Sequence, residues 1–360
     1  MLSNSLRNVT ILENVSLAEY TTLGVGGPAR WFCEAVTEAD VLEAVEFGRE
    51  RGLPLFVLGG GSNVFVGDAG FDGLVIRVGV LGMAEWTEAD SEIVWLTAGA
   101  GETWDDVVRC AVERGYAGVE CLAGIPGDVG GTPVQNVGAY GQEVAETIVG
   151  VRAFDLEAGA FVELDHAACG FAYRRSVFNT TARGRYIVMA VTYRLRVGGA
   201  PTLKYLDVRR YFGRRLETGE APSLREVYDA VRAIRAEKGM LAGQGGEDSW
   251  SAGSFFKNPV VDEEMLGEIA EAGGVGYESV PRWPAAEGKV KLAAAWLVER
   301  AGFQKGFRIG RAGISTRHTL ALVNLGGATA AEVMALRDAV VQGVASRFGV
   351  RLEQEPVEVG

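Results

Sequence analysis

Residues 121–143 read CLAGIPGDVGGTPVQNVGAYGQE, and they combine six glycines and two prolines with leucine, isoleucine, valine and tyrosine. Flexible linkers are rich in glycine but are not apolar at the same time. Glycine removes a Cβ atom where the backbone turns sharply or approaches another group closely, and successive N–H groups in such turns form concavities that bind anions. This glycine stretch therefore predicts a buried cradle for a phosphate-bearing cofactor, with a tight turn between domains as the alternative.

A second glycine loop, Gly59-Gly60-Gly61-Ser62-Asn63, follows a short apolar strand predicted at residues 55–58. In the dinucleotide-binding fingerprint of Rossmann folds, such a loop opens a helix, and an acidic residue follows about 20 residues later. Residues 64–73 read VFVGDAGFDG, and three glycines within ten residues make a poor helix. We therefore exclude the Rossmann pattern and expect another fold.

Composition limits the class of protein. The chain has 360 residues, which is enough for two or three domains, and 48% of them are hydrophobic. A net charge of -12 argues against a nucleic-acid surface. The four cysteines lack C-x-x-C spacing and there are two histidines, so no metal site is expected. The sequence contains neither a signal-peptide pattern nor an apolar run near 18 residues, so we expect a cytoplasmic protein without membrane contact.

The periodicity predicts an α+β domain over residues 1–200, with a change in composition near residues 197–201. Residues 1–20 are predicted to be a short polar lead-in. Helices are predicted to begin at Thr37, with Val41, Leu42 and Val45 on one face, and at Thr103, with Val107, Val108, Ala111 and Val112 facing inward. Strands are predicted at residues 29–36, 55–58, 74–77, 93–98, 149–155, 161–164 and 186–196.

The second part of the chain, residues 201–360, is predicted to be more helical. Capping patterns place helix starts at Ser223 and Thr329, and apolar spacing predicts another helix over residues 291–301. The helix from Thr329 is predicted to be long, with an apolar stripe of Val333, Leu336, Val340, Val344 and Phe348. Residues 243–248 are predicted to form a mobile loop. The chain is expected to close with a strand over residues 350–357.

Three short segments carry groups suited to catalysis. Residues 251–259, SAGSFFKNP, place Ser254 beside two aromatic rings, a lysine and an amide. No G-x-S-x-G elbow surrounds this serine, which favours a proton donor over a nucleophile. Residues 173–176, YRRS, offer guanidinium groups that grip carboxylates, and alternation along residues 351–356, RLEQEP, puts Glu353 and Glu355 on one side of a strand. A plain turn, an exposed arginine pair and solvated carboxylates are the respective alternatives.

Taken together, these segments resemble one family, the UDP-N-acetylenolpyruvoylglucosamine reductases, which are flavoenzymes of peptidoglycan precursor synthesis. The resemblance runs from about Thr21 to Glu355. Its most specific motifs, in chain order, are Gly59–Asn63, Gly124–Glu143, Tyr173-Arg174, residues 252–259 and Leu352–Glu355.

The resemblance implies an α+β fold with an FAD-binding domain of the vanillyl-alcohol-oxidase (PCMH) type and a C-terminal α+β substrate-binding domain. The FAD-binding domain would span residues 1–200, in two lobes of about 20–85 and 86–200, and the substrate domain residues 201–360. Both glycine loops would hold the FAD pyrophosphate. The residues implied are Gly59, Gly60, Gly61, Ser62, Asn63, Gly124, Ile125, Pro126, Gly127, Val129, Gly130, Gly131, Asn136, Gly138 and Ala139.

For catalysis, the resemblance implies Arg174 at the enolpyruvyl group, Ser254 as the proton donor and Glu355 as the catalytic carboxylate, with Glu353 as the substitute if the register differs. Tyr205 resembles the tyrosine on a mobile loop that closes over the nucleotide sugar. Tyr173, Lys238, Asn258 and His318 fall near positions that touch substrate or NADPH in relatives.

The implied reaction uses NADPH to reduce FAD. Hydride then passes from flavin N5 to C3 of enolpyruvyl-UDP-N-acetylglucosamine, and a proton from Ser254 reaches C2, giving UDP-N-acetylmuramate. The enzyme is expected to be a cytoplasmic monomer that contacts neither nucleic acid nor membrane. Two alternatives remain open, an FAD-linked oxidase of a small alcohol or sugar, and a nucleotide-sugar-binding protein without flavin.

Overall fold

The computed structural model describes residues 9–88, 91–241, 246 and 248–360. Their backbone divides into two compact units. The described residues up to Val15, Ala29–Gly60 and Asp72–Glu237 form the first unit, and those of Ser16–Pro28, Gly61–Phe71 and Lys238–Gly360 form the second. The predicted domain limits, residues 1–200 and 201–360, stay a prediction.

The strands are, in chain order, β1 (Leu12–Ser16), β2 (Pro28–Ala35), β3 (Leu55–Leu58), β4 (Val64–Val66), β5 (Phe71–Val78), β6 (Met83–Thr87), β7 (Ile93–Gly99), β8 (Tyr116–Ala117), β9 (Gly138–Ala139), β10 (Gln142–Glu143), β11 (Ile148–Asp155), β12 (Ala160–Asp165), β13 (Tyr186–Val197), β14 (Ser251–Ser254), β15 (Val260–Asp262), β16 (Arg282–Pro284), β17 (Lys289–Leu292), β18 (Arg308–Ile309), β19 (Ala312–Ile314), β20 (Ala321–Asn324) and β21 (Val357–Val359). The helices are α1 (Glu38–Glu50), α2 (Trp104–Glu113), α3 (His166–Cys169), α4 (Leu206–Glu217), α5 (Leu224–Glu237), α6 (Leu266–Gly273), α7 (Ala294–Arg300) and α8 (Ala330–Phe348).

The first unit contains a four-stranded sheet in the order β1-β2-β5-β3, in which β3 and β5 are parallel. The capping box predicted for α1 is present, because Thr37 and Asp40 bond each other's backbone. Leu42 is 40% exposed rather than buried, because the buried stripe of α1 runs through Val41, Ala44, Val45 and Gly48 and Leu42 lies beside it. The polar lead-in is wrong from Leu12 onward, since β1 lies at the edge of the sheet, where backbone pairing needs no apolar side chain.

A second, antiparallel sheet of the first unit runs β12-β11-β13-β7-β6, with β8 also pairing with β13. Helix α2 packs in the same core and begins with Trp104, which is buried against Tyr193 with ring centroids 5.4 Å apart. The indole Nε1 of Trp104 donates to the carbonyl of Leu122 at 3.2 Å. The core thereby anchors the start of the glycine stretch.

The second unit contains two antiparallel sheets, β14-β20-β19-β18 and β15-β17-β16, and a parallel pair, β4 with β21. Two predicted limits are wrong here. Residues 289–292 form β17, because this segment pairs with strands on both sides, so α7 begins at Ala294. The closing strand spans only Val357–Val359, since pairing is available to it from β4.

The predicted loop at residues 243–248 includes 243–245 and 247, which lie outside the described residues. Within the described part of the chain, no helix is long and apolar enough to cross a membrane. The capping patterns predicted at Ser223 and Thr329 are confirmed, and the apolar stripe predicted along α8 is buried.

Candidate active site

The two glycine loops meet within the first unit. A Cβ atom built on Gly60 would lie 2.8 Å from the Cα of Gly127 and 2.9 Å from Oδ1 of Asp128. Real Cβ atoms do not approach other atoms so closely, so this backbone contact requires glycine. Gly127 also has φ +109°, a conformation that residues with a side chain rarely adopt. In the sequence, only the family resemblance suggested that the two loops lie together. Their contact is therefore a property of the fold.

Neighbouring glycines differ in what their missing side chains would meet. A Cβ on Gly130 would lie 2.8 Å from the Cβ of Ala100, whereas a Cβ on Gly59 or Gly131 would meet nothing within 4 Å. Gly130 therefore serves packing of the protein against itself. Gly59 and Gly131 instead border open space in which a ligand group could lie.

The backbone N–H groups of the second half of the cradle are used within the protein. Val129 donates to Glu102 O at 2.9 Å, Gly130 to Ala100 O at 2.8 Å and Gly131 to Asp128 O at 3.0 Å. The expectation of exposed N–H donors is wrong at these three positions. A short helical turn and contacts with Ala100 and Glu102 consume them, so these three N–H groups have partners within the protein.

Asp128 supplies a carboxyl group at the same point. Burial raises its pKa to about 6, and the nearby guanidinium of Arg77 opposes that change. An ionised carboxylate at the meeting point of the loops would repel an anionic ligand, and a protonated one would not. The charge of the cradle therefore depends on pH near neutrality.

Arg174 is built onto the glycine stretch. Its Nη2 donates to the carbonyl of Gly138 at 2.8 Å, and a Cβ on Gly138 would lie 3.3 Å from Nη1 of Arg174. Arg174 itself has φ +55°, which is unfavourable for a residue with a side chain and typical of functional sites. Its guanidinium carbon lies 5.5 Å from the ring centroid of Tyr173, which is 38% exposed.

Asn136 ties the Arg174 turn to the glycine stretch. This side chain is 1% exposed, and its Nδ2 donates to Ala172 O at 3.1 Å and to Glu143 Oε2 at 2.8 Å. Its Oδ1 accepts the N–H of Ala145. Both ends of the amide thus have structural partners, and its predicted contact with a cofactor stays a prediction.

In the second unit, Ser254 ends strand β14, which pairs with β20 across a bulge. The preceding Gly253 has φ +72°, and the following N–H, of Phe255, donates to Leu320 O at 2.7 Å. The hydroxyl oxygen of Ser254 lies 3.2 Å from Nε2 of His318. These two residues are 64 positions apart, and no local pattern in the sequence links them.

Glu353 and Glu355, near the end of the sequence, have different surroundings in the structure. The N–H of Glu355 donates to Phe255 O at 2.8 Å, so Glu355 is tied to the residue that follows Ser254. The side chain of Glu353 is 77% exposed and lies 3.6 Å from Nζ of Lys257. The predicted strand alternation is wrong here, because residues 351–356 form one isolated bridge, Gln354 with Phe256, instead of a strand.

Asn63, from the second glycine loop, holds the Glu355 segment. Its Nδ2 donates to the carbonyl of Glu355 at 3.3 Å, and its own carbonyl accepts the N–H of Val357 at 2.9 Å. Gly61 is fixed nearby, because a Cβ there would lie 1.8 Å from Tyr20 O. The loop therefore needs glycine at this position for its own packing.

The remaining predicted residues have less distinctive surroundings. Tyr205 precedes α4, is 38% exposed and contacts the ring of Tyr140 edge-on at 5.4 Å. Lys238 is half-buried. The Oδ1 of Asn258 accepts the N–H of Ala294 at 3.0 Å, a structural contact at the start of α7.

Cys121 and Cys169, which lie beside functional segments, are both fully buried. Burial raises the pKa of the Cys121 thiol, and it raises the pKa of Cys169 to about 11. A thiol that stays protonated is a poor nucleophile. No group of three or more His, Cys, Asp or Glu side chains that could hold a metal ion occurs in residues 9–88, 91–241, 246 and 248–360.

Known protein families match the parts of the chain that contain the two glycine loops and the Ser254 segment. Residues 29–165 match a family described as FAD binding domain, and residues 245–359 match one described as UDP-N-acetylenolpyruvoylglucosamine reductase, C-terminal domain. The UDP-N-acetylenolpyruvoylglucosamine reductase of Thermobifida fusca is 45% identical over 97% of this chain and 98% of its own. That of Streptomyces coelicolor is 44% identical over 99% and 92%.

The chain belongs to the UDP-N-acetylenolpyruvoylglucosamine reductase family. It is an FAD-dependent oxidoreductase of peptidoglycan precursor synthesis, and it uses FAD and NADPH. The crystal structure of the Thermus caldophilus reductase superposes with a TM-score of 0.63 at 29% identity, covering 98% of this chain and 99% of that one. The fold is thus a PCMH-type FAD-binding domain followed by the C-terminal domain of these reductases, as the resemblance implied.

The residues present fit FAD. The open sides of Gly59 and Gly131 provide space without side chains, and their loops meet through Gly60 and Gly127. A pyrophosphate needs such close approach to backbone. The loops fit the pyrophosphate by their shape, and the protonation of Asp128 sets the charge beside it.

Proposed function

We propose that this protein reduces the enolpyruvyl group of UDP-N-acetylglucosamine-enolpyruvate to the lactyl ether, with NADPH as the electron donor and UDP-N-acetylmuramate as the product. The observation that carries the proposal is the placement of Ser254. Its hydroxyl is held by His318 at 3.2 Å, and the next residue, Phe255, bonds the backbone of Glu355. A hydroxyl held in position, one residue before the backbone contact with Glu355, suits delivery of a proton to carbon.

Bound FAD supplies hydride chemistry, from N5 of the reduced flavin to C3 of the enol ether. The protein then has to hold the substrate and to protonate C2. Ser254 donates that proton, and its hydrogen bond with His318 fixes the direction of the hydroxyl. A general acid held in one orientation accelerates such a step by about 10²–10⁴-fold.

Arg174 and Glu355 act on the charge that develops beside C2. The guanidinium of Arg174, supported by the carbonyl of Gly138, binds the substrate carboxylate. Glu355, protonated, donates a hydrogen bond to the enol-like intermediate. Glu353 is too exposed to serve that purpose, and its pairing with Lys257 gives it a different environment.

The other assignments belong to the same proposal. Tyr205, Tyr173, Lys238, Asn258 and His318 contact the sugar nucleotide or NADPH. The FAD pyrophosphate lies along Gly59–Asn63 and Gly124–Gly131, and Asn136, Gly138 and Ala139 complete that side of the cradle. The enzyme is proposed to be a cytoplasmic monomer.

Oxidation of NADPH by the purified, flavin-loaded protein tests the proposal. We expect rapid oxidation only when the enolpyruvyl nucleotide is added, with one product formed for each NADPH consumed. Fast oxygen consumption without the nucleotide would instead indicate an FAD-linked oxidase. A protein that binds the nucleotide but retains no flavin absorbance would indicate a binding protein. Either result would overturn the proposed reaction.

A further inference from the structure

A buried arginine beside the glycine stretch has no part in the proposed reaction. Arg235, near the end of α5, is 5% exposed. Its Nε donates to the carbonyl of Gly124 at 2.9 Å, and its guanidinium also donates to the phenolic oxygen of Tyr140. A buried guanidinium is retained only where its hydrogen bonds are satisfied, and these two contacts join Arg235 to Gly124 and to Tyr140.

Gly124 is held from both of its backbone groups. Its N–H donates to Oδ1 of Asp105 at 2.6 Å, and Asp105 is also paired with Arg232, one turn before Arg235. Gly124 has φ +68°, so the chain turns sharply at this point. Arg235 and Asp105 therefore fix the residue at which the cradle begins.

Tyr140 lies near the other end of the same stretch and is itself constrained. It has φ +47°, is 8% exposed and contacts Tyr205 edge-on with ring centroids 5.4 Å apart. A Cβ on Gly141 would lie 3.1 Å from Cβ of Lys204 and 3.4 Å from the backbone nitrogen of Tyr205. The Tyr205 segment thus packs directly on the tip formed by Tyr140 and Gly141.

The base of that segment is fixed to the same stretch. Thr202 donates its N–H to Oε1 of the fully buried Glu120 at 2.7 Å, and its hydroxyl accepts from Nε2 of Gln142 at 3.0 Å. The Sγ of Cys121 donates to Thr202 O at 3.3 Å. Since the base is fixed, the position of Tyr205 depends on the surface that Tyr140 offers.

We propose that Arg235 is a positioning residue that sets the flavin cradle through Gly124 and the substrate tyrosine, Tyr205, through Tyr140. The inference rests on the proposed assignment of Tyr205 to the sugar nucleotide. One guanidinium then links the cofactor loop to the substrate segment within the first unit. Its loss affects substrate binding without any contact between Arg235 and the substrate.

Tyr140→Phe is the sharpest variant, because it removes one oxygen atom and keeps the ring. We expect the KM for the enolpyruvyl nucleotide to rise about tenfold while kcat changes less than about twofold, which is the effect of one lost hydrogen bond to a charged group. In a Tyr205→Phe background, the same change should add less than about twofold, because coupled residues are not additive.

Arg235→Met should raise KM in the same way and should also weaken FAD retention. Arg235→Lys, which keeps the charge and one donor, should recover part of either effect. Arg225→Met is the matched control, since Arg225 lies on the same helix and its ion pairs are with Asp229 and Glu113; it should leave KM within about twofold. A second readout needs no turnover. In the flavin-free protein, trypsin should cleave after the exposed Lys204 several-fold faster in Tyr140→Phe than in wild type.

Unchanged KM and unchanged cleavage in Tyr140→Phe would overturn the inference, as would full additivity with Tyr205→Phe. If Arg235→Met fails to fold, Tyr140→Phe decides the matter alone. A Tyr205→Phe variant with normal KM would also overturn the inference, because Tyr205 would then not bind the nucleotide. The proposed reaction is judged separately, by NADPH oxidation in the wild-type protein.

Discussion

Nε2 of His318 lies 3.2 Å from the hydroxyl oxygen of Ser254, at the point where β14 ends against β20. The backbone orients both partners. The N–H of His318 donates to Oγ of Ser315 at 3.1 Å, and its carbonyl accepts the N–H of Ala321 at 3.0 Å, where Ala321 pairs with Ser254. The hydroxyl is therefore held in one direction by a side chain that is itself fixed in the turn between β19 and β20.

Ser254→Ala should separate the two halves of the reaction. Reduction of FAD by NADPH needs no proton at substrate C2, so its rate should stay within about threefold, while reoxidation by the enolpyruvyl nucleotide should slow about 10²–10⁴-fold. Stopped-flow absorbance at the flavin band measures each half. Ser251→Ala, in the same strand, is the control. An equal loss in both halves would remove Ser254 as the donor.

His318→Asn should slow reoxidation about tenfold, which is less than the loss in Ser254→Ala, because the hydroxyl remains but is no longer held. In a Ser254→Ala background the same change should have little further effect on this step. His166→Asn is the matched control, since the other histidine contacts Ile148 O in the first unit. Full additivity of the two substitutions would show that His318 acts independently of Ser254.

Gly131→Val should impair FAD binding, whereas Gly130→Val should lower the stability of the fold. The branch added at Gly131 enters open space, so the flavin-free protein should keep its stability within about 1 kcal/mol while FAD retention is lost. The branch added at Gly130 meets Ala100, and overpacking should cost about 1–3 kcal/mol with or without FAD. Chemical unfolding of the flavin-free variants and flavin absorbance after purification separate the cases. Gly131→Val purified with stoichiometric FAD would place the pyrophosphate elsewhere.

Asp128→Asn should stabilise the flavin-free protein at pH 7.5 by about 1 kcal/mol. This is less than the pKa change alone would give, because solvent screens a partly exposed carboxyl group. The pKa of Asp128 is raised to about 6 by burial. The acid therefore favours folding when protonated, and that contribution is lost as pH rises from about 4 through 6. Urea midpoints should differ between variant and wild type at pH 7.5 and converge toward pH 4.

The same substitution should tighten FAD binding above pH 6, because a carboxylate no longer faces the pyrophosphate. Asp72→Asn is the control, since the Asp72 side chain is 85% exposed and pairs with Arg30. A difference in urea midpoint that does not vary with pH would mean that the charge of Asp128 is not its cause.

Tyr205→Phe should raise the KM for the nucleotide about two- to tenfold and lower kcat less, because the lost hydrogen bond is made equally in the ground and transition states. The ring remains, so the contact with Tyr140 is kept. Tyr211→Phe, in an exposed position on α4, is the control. A normal KM would place Tyr205 away from the nucleotide.

Local signals in the sequence predicted most of the secondary structure. The capping patterns at Thr37, Ser223 and Thr329 are present as hydrogen bonds, and the apolar spacing of α2 and α8 is buried. These features depend on residues three or four positions apart, which the sequence displays directly. The family motifs then indicated the cofactor and the reaction class.

The sequence did not indicate contacts between distant segments. His318 meets Ser254, and Arg235 meets Gly124 across 111 positions, without any local pattern. Glu353 and Glu355 looked equivalent because alternation was assumed, whereas pairing partners allow only a bridge at Gln354. The N–H groups of Val129–Gly131 looked available because a glycine run does not reveal which carbonyls will face it.

Asn63 and Glu355 are separated by 292 positions, yet the amide of one bonds the carbonyl of the other. We expect a contact of such long range to form late in folding, because the closure entropy of the intervening chain has to be overcome first. The Gly59–Asn63 loop would then be formed before the segment that carries Glu355 reaches it. Flavin uptake and catalytic competence then become separate events in refolding, and a lag between regained flavin absorbance and regained NADPH oxidation would be their kinetic trace.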